Sequence, residues 1–187
     1  MKRRWLRLAL AVVVVDAVIG VWWYRHWRES RHDTAILTAA RRYHVDPALV
    51  KAIVWRESRF NPDARGRAGE LGLMQIRDAA AHEWAEAERI ASFQFSHLLD
   101  PGTNTLAGSW YLAKLLKRYP HTDNPPAYAL ADYNAGRTHV LRWNKDAAET
   151  NSAIFASQIT FPTTKKYIGD VQQRRDRYRN EDFGKEK

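Results

Sequence analysis

Apolar residues recur along most of the chain at the three- and four-residue spacing of amphipathic helices. Val50, Ile53 and Val54 share one helical face, and Glu57 follows on that face at offsets of seven, four and three residues. Asp46-Pro47 supplies an N-cap residue and a proline for the first helical position. Because no alternating run between turn residues indicates a strand, we predict a mainly α fold.

The same spacing and its punctuation give the order of the expected elements. Asp33 is expected to cap the first helix of the folded part, Gly136 to follow the C-terminus of another, and Thr163 or a neighbour to cap the last. Residues 64–72 contain three glycines and are expected to form a loop. The predicted helices cover Thr34–Tyr43, 47–60, Met74 to about Ile90, Asn104–Tyr119, Ala127–Tyr133, Thr138–Asn144, Ser152–Ile159 and Thr163–Tyr178.

An apolar run precedes this helical region. It extends from Trp5 to Tyr24, which is about the length needed to cross a bilayer core as a helix, although Asp16 near its centre is costly there. The alternative is a cleaved signal peptide, but Val18-Ile19-Gly20 is a poor cleavage site. We therefore expect an N-terminal hydrophobic helix that anchors residues 1–31 in a membrane, a domain over 32–180, and a charged tail over 181–187 that frays beyond Asn180.

Composition and charge exclude several classes of function. The chain has no cysteine, so thiolate nucleophiles and sulfur-ligated zinc are excluded. Of the net charge of +9, residues 1–31 contribute +5 from seven Lys/Arg and two acids, and the rest contributes +4. The folded part is therefore mildly basic, which suits a cell wall or membrane surface and gives no support to a nucleic-acid partner. The seven histidines have no metal-ligand spacing, and no nucleophile elbow or phosphate loop occurs.

Glu57 is the first candidate for chemistry. A carboxyl group in line with an apolar helical face should be partly desolvated, which raises its pKa and lets it act as a general acid near neutral pH. The alternative is a solvated residue at a helix end, and on this pattern alone that alternative is the commoner situation for a glutamate.

Three further clusters combine glycines, aromatic residues and polar side chains. In the segment from Gly69 to Ile76, the glycines permit close backbone approach to a ligand and Gln75 offers donors and an acceptor, while Leu73 and Ile76 suit the core. Tyr133 and Asn134 stand at a predicted helix end, where they either point into a cleft or simply terminate the helix. Tyr167, in the last cluster, either lines a groove or packs in the core.

The order of these clusters resembles the soluble lytic transglycosylase (SLT) family over about residues 33–178. Its elements are Glu-Ser-x-Phe, Gly-Leu-Met-Gln-Ile, Tyr-Asn-Ala-Gly and Pro-Thr-Thr-Lys-Lys-Tyr, together with Asp100-Pro101 and the helix after it. The resemblance implies a lysozyme-like helical domain with a substrate cleft that cleaves peptidoglycan without a metal or cofactor. It makes Glu57 the catalytic acid and base, and it implies that the following residues bind substrate: Ser58, Met74, Gln75, Tyr133, Asn134 and Tyr167.

The chain departs from the family pattern at three positions. Glu70 stands where a small residue is common, Thr163 where glutamate is frequent, and Lys165 where arginine is frequent. These departures concern the detail of the cleft and the preference for peptide stems more than the reaction.

The resemblance implies non-hydrolytic cleavage of the MurNAc-β-1,4-GlcNAc bond to 1,6-anhydro-MurNAc ends. One alternative is hydrolysis, as in a goose-type lysozyme, with Glu70, Asp63 or Asp132 holding the water. Another is a catalytically silent module that binds the wall. The expected partners are glycan strands and, through the N-terminal segment, a membrane. The expected location is the bacterial cell envelope, with the domain on the periplasmic side of the inner membrane, or outside the cell after signal cleavage.

Overall fold

The structure, a computed structural model, describes residues 2–184, without the side chains of residues 2–4, 6–9 and 11, so the last three residues of the expected tail lie outside it. Within that range the chain is helical, and its only β pairing consists of two isolated bridges around Leu71. The helices are α1 (Lys2–Ser30), α2 (Asp33–Arg42), α3 (Pro47–Ser58), α4 (Asp78–Ala87), α5 (Pro101–Leu116), α6 (Pro125–Ala135), α7 (Arg137–Trp143), α8 (Ser152–Gln158) and α9 (Pro162–Asn180), with short 3-10 helices at Phe95–Leu99 and Asp146–Glu149. The expectation of a mainly α fold is confirmed for the described residues.

Helix α3 lies at the centre of the domain and is buried on most sides. It begins as predicted, because the carboxylate of Asp46 accepts a hydrogen bond from the amide of Ala48 at 3.0 Å and proline follows at the first helical position. It ends where Arg59 and Phe60 turn into the left-handed region, with φ of 54° and 64°. Since α3 packs against α9 and α2, its last turn is held inside the domain.

The helix expected to begin near Met74 begins only at Asp78. The residues before it form a tight turn, in which Leu71 and Ile76 exchange two backbone hydrogen bonds of 3.0 and 3.1 Å. Gly72 and Gln75 have φ of 76° and 48°, which a continuous helix cannot accommodate. The apolar spacing in this segment therefore reflects a buried turn and not a helical face.

Two predicted caps are also wrong. Asp33 lies inside the first turn of α2, where its carboxylate pairs with Lys51 at 2.7 Å, and His32 precedes the helix without capping it. Helix α9 begins at Pro162, and no side chain caps its N-terminus. Gly136 does terminate α6, with φ of 85° as expected for glycine at a helix end.

The segment after α9 is packed where fraying was expected. The amides of Phe183 and Asp182 donate to the carbonyls of Tyr178 and Arg179 at 3.0 and 3.1 Å, which is the Schellman pattern of helix termination. The Phe183 ring then lies 4.0 Å from the ammonium group of Lys51. Residues 181–184 thus fold back over the start of α3.

Helix α1 projects its apolar side chains outward. At its C-terminal end, the guanidinium of Arg31 donates to the carbonyl of Phe60 at 2.8 Å, and Glu29 pairs with Arg174 of α9 at 3.3 Å. None of the helices in the described part of the chain combines the length and the apolar character of a membrane span. The exposed apolar side chains of α1 include Val12, Val13, Val14, Val15, Val18, Ile19, Val21, Trp22, Trp23 and Trp27.

Asn104 of α5 ties the turn at residues 71–76 to the helical core. It is fully buried, and its Nδ2 donates to the carbonyls of Leu71 and Leu98 at 2.9 and 2.8 Å. Its Oδ1 accepts from the amide of Met74 at 2.8 Å. A Cβ atom at Gly72 would lie 2.1 Å from Nδ2, so glycine is needed for this approach. One amide side chain therefore satisfies three backbone groups of the turn and its surroundings.

We expect Asn104→Ala to lower the free energy of unfolding by about 2–4 kcal/mol, because the buried Met74 amide and Leu98 carbonyl lose their bonds to Asn104 and the Leu71 carbonyl keeps only its bond from Ile76. Urea denaturation measures the change. Asn180→Ala, an exposed position at the end of α9, is the control and should change stability by less than about 0.5 kcal/mol. Equal effects of the two substitutions would contradict the role of Asn104.

Candidate active site

Glu57 lies in the last turn of α3, where the apolar helix meets a cleft. The phenol of Tyr167, on α9, donates a hydrogen bond to its Oε1 at 2.6 Å. Tyr167 is itself buried, so its hydroxyl has a fixed position. The packing of α9 on α3 therefore brings together two residues that are 110 positions apart in the sequence.

The pKa of Glu57 is raised to about 7. Burial is the main cause, and the negative charge of Glu70 adds to it, while the hydrogen bond from Tyr167 and the charge of Arg56 oppose it. The carboxyl group is consequently poised between its protonated and ionised forms near neutral pH, which is the property that a residue acting as both acid and base requires.

The cleft beside Glu57 has a volume of about 530 Å³. Its walls come from α4, α5, α6 and the turn that precedes α4. Four acidic and four basic side chains line it together with Gln75, Tyr111, Tyr133 and Asn134; the charged residues are Glu57, Glu70, Glu83, Asp132, Arg77, Lys114, Arg118 and Arg137.

Tyr133 joins α6 to the turn at residues 71–76. Its hydroxyl donates to the carbonyl of Met74 at 2.7 Å, and its ring lies 5.6 Å from that of Tyr111. Burial, followed by the charge of Glu57, holds the pKa of Tyr133 well above its usual value, so it is a neutral hydrogen-bond donor. Gln75, on the same wall, is fixed by hydrogen bonds from its Nε2 to the carbonyls of Ala64 and Gly72.

Asn134 lines the cleft one residue further along α6. Its Oδ1 accepts a 2.8 Å hydrogen bond from the hydroxyl of Thr164, which leaves the amide NH2 group to face a ligand. Thr164 is buried and was not among the residues predicted for the site. Its position in the Pro-Thr-Thr motif is the sequence signal that could have identified it; the adjacent Thr163, expected to cap α9, is exposed.

Ser58 and Met74, predicted to bind substrate, are not among the residues that line the cleft. The Ser58 hydroxyl donates to the carbonyl of Val54 within α3 at 3.1 Å. The Met74 side chain is buried against Gly108 of α5, where a Cβ atom would lie 2.3 Å from its sulfur. Both residues support the walls around Glu57, and their direct contact with substrate stays a prediction.

The other acidic residues of the cleft are engaged by basic partners. Glu70 accepts from Arg77 at 3.0 Å, Glu83 pairs with Lys114, and Asp132 accepts from Arg118 at 2.8 Å. Burial raises the pKa of Glu70, but hydrogen bonds from the backbone and from Arg77 outweigh it, and the net pKa is lowered. Among the described acidic residues of the cleft, Glu57 alone has no ion pair.

Asp63, one of the three residues considered for holding a water molecule, is exposed and does not line the cleft. No group of three or more His, Asp or Glu side chains in the described part of the chain is arranged to hold a metal ion.

A comparison with family profiles matches residues 34–156 to the family described as "Transglycosylase SLT domain". This is more than half of the chain. The chain belongs to the SLT transglycosylase family. The resemblance inferred from the sequence motifs is thereby confirmed.

Two curated relatives of this SLT chain are membrane-bound lytic murein transglycosylases. The C enzyme of Shigella sonnei is 37% identical over 152 residues, covering 78% of this chain and 40% of the relative. The F enzyme of Desulfosudis oleivorans is 35% identical over 116 residues, covering 60% of this chain and 24% of the relative. The chain therefore spans less than half of the length of either relative.

Solved structures of SLT enzymes share the fold. An inactive glutamate-to-glutamine mutant of lytic transglycosylase Slt from Pseudomonas aeruginosa is 25% identical, with a TM-score of 0.75 over 84% of this chain and 25% of that one. The 70 kDa soluble lytic transglycosylase of Escherichia coli is 26% identical, with a TM-score of 0.70 over 79% of this chain and 24% of that one. A complex of a 70 kDa soluble lytic transglycosylase with bulgecin A matches with a TM-score of 0.73 at 25% identity, over 86% of this chain and 26% of that one.

The raised pKa of Glu57 predicts a pH-dependent cost to stability. Between the pKa of an unfolded glutamate, 4.5, and about 7, the folded state holds a proton that the unfolded state releases, so stability falls as pH rises through this window. Glu57→Gln has no ionisable group at this position, so it lacks this loss of stability with rising pH. Relative to the native chain, it should therefore gain about 2–3 kcal/mol between pH 4 and pH 8, as measured by urea denaturation.

Glu83→Gln is the control for this measurement, because Glu83 is exposed in the same cleft. Its stability difference from the native chain should change far less over the same pH range. A pH-independent difference for Glu57→Gln would show that the carboxyl group is not desolvated.

Proposed function

We propose that this SLT chain is a peptidoglycan lytic transglycosylase that cleaves the MurNAc-β-1,4-GlcNAc bond without water and leaves 1,6-anhydro-MurNAc ends. The observation that carries the proposal is Glu57, a partly buried carboxyl group with a pKa of about 7, hydrogen-bonded to Tyr167 and open to a cleft. The names of the two curated relatives support the same activity.

In the first step, protonated Glu57 donates its proton to the glycosidic oxygen as the bond to C1 breaks. Positive charge develops at C1, and the N-acetyl group of the same sugar stabilises it from within the substrate. Tyr167 keeps its hydrogen bond to the carboxylate that is formed, which stabilises the ionised form at the moment it appears.

In the second step, the Glu57 carboxylate accepts the proton of the muramyl C6 hydroxyl, and the C6 oxygen bonds to C1. The anhydro ring closes, and Glu57 regains the proton that it lost in the first step. No water is consumed and no cofactor takes part, so one ionisable group completes the cycle.

Polar groups around Glu57 are assigned to binding of the sugars. The free amide NH2 of Asn134 and the side chain of Gln75 face the cleft, and Tyr133 forms its wall, as its contacts with Met74 and Tyr111 support. Tyr167 acts on the carboxyl group itself. We assign Ser58 to orienting Glu57 through the last turn of α3.

Hydrolysis is the alternative outcome for this cleft. It would need a second carboxylate to hold water on the opposite side of the sugar from the acid. Glu70 and Asp132 line the cleft, but each already accepts hydrogen bonds from an arginine. A basic partner of this kind reduces the ability of a carboxylate to take a proton from water, which favours the anhydro product.

We further propose that residues 1–31 attach the domain at 32–180 to the inner membrane, with the cleft on the periplasmic side. The names of both curated relatives describe membrane-bound enzymes, and the exposed apolar side chains of α1 support membrane attachment. Residues 181–187 are assigned to a short charged tail. Peptidoglycan glycan strands are the proposed substrate.

Glu57→Gln should abolish release of fragments from purified sacculi, while the native chain should release muropeptides lighter by one water than hydrolytic products. Mass spectrometry of the released material measures both results. Glu83→Gln, in the same cleft, is the control and should retain most of the activity. Reducing ends in the native digest would support hydrolysis, and sacculus binding without any release would support a silent binding module.

Tyr167→Phe tests the pairing of the phenol with the carboxyl group. Because the hydrogen bond from Tyr167 lowers the pKa of Glu57, its loss should move the basic limb of the kcat/KM profile to higher pH, where Glu57 stays protonated longer. Tyr178→Phe is a matched control, since it removes a buried hydroxyl without a hydrogen-bond partner from the same helix. An unmoved limb in Tyr167→Phe would contradict the pairing.

A further inference from the structure

A second cavity lies between α1 and the body of the domain, away from the proposed active site. Its volume is about 550 Å³, and none of its lining residues belongs to the catalytic cleft. It is bounded on one side by the last turns of α1 and on the other by the ends of α3 and α9. The lining residues are Val21, Trp22, Tyr24, Arg25, His26, Arg28, Glu29, Trp55, Arg59, Phe60, Arg174 and Arg177.

The cavity collects more positive charge than its own acidic residues neutralise. Five of its residues are arginines and one is a glutamate, Glu29, which pairs with Arg174. Arg177 pairs with Glu181 outside the cavity. In the described part of the chain, the remaining three arginines form no ion pair; they are Arg25, Arg28 and Arg59.

Arg59 is the one of these three cations that the folded domain contributes, and its side chain is exposed. As the residue that ends α3, it has φ of 54°, and its guanidinium lies 3.8 Å from the ring centre of Trp55. Arg174 lies 4.0 Å from the ring centre of the same tryptophan, so two guanidinium groups share one aromatic ring. The pKa of Arg59 is lowered. The largest cause is partial desolvation of its guanidinium, and repulsion from Arg56, Arg174 and Arg28 adds to it. An anionic ligand would relieve this repulsion.

The charged cavity continues into an apolar strip along α1. A neighbouring groove of about 400 Å³ is lined almost entirely by apolar side chains, and it shares Val21, Trp22 and Arg25 with the charged cavity. Val14 and Val18, further along the strip, are more than half exposed. Together, the two spaces form a positively charged site that suits an anionic headgroup and an adjoining apolar surface that suits hydrocarbon chains.

Aromatic side chains line both spaces: Trp22 belongs to the charged cavity and to the apolar groove, and Tyr24 belongs to the charged cavity. Trp22, Trp23, Tyr24 and Trp27 are all exposed on the turns of α1 that carry Arg25 and Arg28. Such rings prefer the level of lipid headgroups, where one part of the ring is dry and the other contacts water. This placement distinguishes a lipid from a free phosphate or an acidic peptide, since neither of those would use the apolar strip.

We propose that this cavity binds the phosphate headgroup of an anionic phospholipid, with Arg28 and Arg59 contacting the phosphate and the acyl chains lying along the apolar strip of α1. The site joins α1 to Arg59, which is two residues from Glu57 in the chain. A bound lipid would therefore hold the domain against the membrane surface in one orientation. The lipid site rests on the membrane attachment proposed for residues 1–31, which binding to phosphatidylcholine alone tests separately, and it does not depend on the reaction assigned to the cleft.

The experiment compares binding of the full chain to vesicles of phosphatidylcholine alone and to vesicles of equal parts phosphatidylcholine and phosphatidylglycerol, by co-sedimentation. The native chain should prefer the anionic vesicles. Arg28→Gln/Arg59→Gln should lower that preference about tenfold or more, given the contribution of each basic residue near an anionic surface. Binding to phosphatidylcholine alone measures the apolar contribution of α1 and should be unchanged.

Arg67→Gln/Arg142→Gln is the matched control, because it removes the same charge from exposed positions outside the cavity. It should lower the preference far less. An equal loss in the two double variants would mean that the preference reports net charge, and it would overturn the site. A native chain without any preference for the anionic vesicles would also overturn it.

Because Arg59 packs on Trp55, its substitution removes a contact of the folded domain. A second variant therefore leaves Arg59 in place. Arg25→Gln/Arg28→Gln alters only α1, whose side chains at these positions do not belong to the domain core, and thermal unfolding by circular dichroism checks each variant. It should also lose the preference for phosphatidylglycerol by several-fold. Retention of the full preference in this variant would contradict the assignment of Arg28 to the phosphate.

Discussion

A carboxyl group at the end of a buried apolar helix is the constraint around which this domain is arranged. Burial of Glu57 raises its pKa to about 7, and that burial requires α3 to be covered on nearly every side. The packing of α9 provides both the cover and the hydroxyl of Tyr167 at 2.6 Å. The hydrogen bond opposes the effect of burial, so the pKa stays near neutrality and does not rise beyond the useful range.

The wall of the cleft that is formed by the turn at residues 71–76 depends on a second buried polar residue. Asn104 fixes the turn at residues 71–76 through three hydrogen bonds, and Tyr133 fixes the same turn from α6 through the carbonyl of Met74. The turn has no regular ladder of its own beyond two bridges. Its shape is therefore maintained by side chains of two helices, and the positions of Gln75 and Glu70 in the cleft follow from it.

The charges of the chain serve three different regions. In the cleft, each acidic residue other than Glu57 has a basic partner, which leaves one carboxyl group to exchange protons. At the start of α3, Lys51 is buried between Asp33 and the ring of Phe183, where it joins the C-terminal turn to the core. Between α1 and the domain, Arg25, Arg28 and Arg59 have no acidic partner, which is the basis for proposing an anionic lipid there.

Much of the helical architecture followed from the sequence alone. Apolar spacing, Asp46-Pro47 and Gly136 located α3 and the end of α6, because caps and helical periodicity depend on residues close together in the chain. The motif order also placed Glu57, Tyr133, Asn134 and Tyr167 in one site, since the family pattern records which side chains meet. These predictions rest on local signals or on the resemblance.

Only the tertiary structure decided how each residue is used. The spacing around Met74 looked helical, but the left-handed φ values of Gly72 and Gln75 make a turn that Asn104 fixes from 30 residues away. The raised pKa of Glu57 and the hydrogen bond from Thr164 to Asn134 depend on the packing of α9, which local sequence does not report. Burial and long-range hydrogen bonding are properties of the assembled chain, and for that reason they could not be derived from the order of residues.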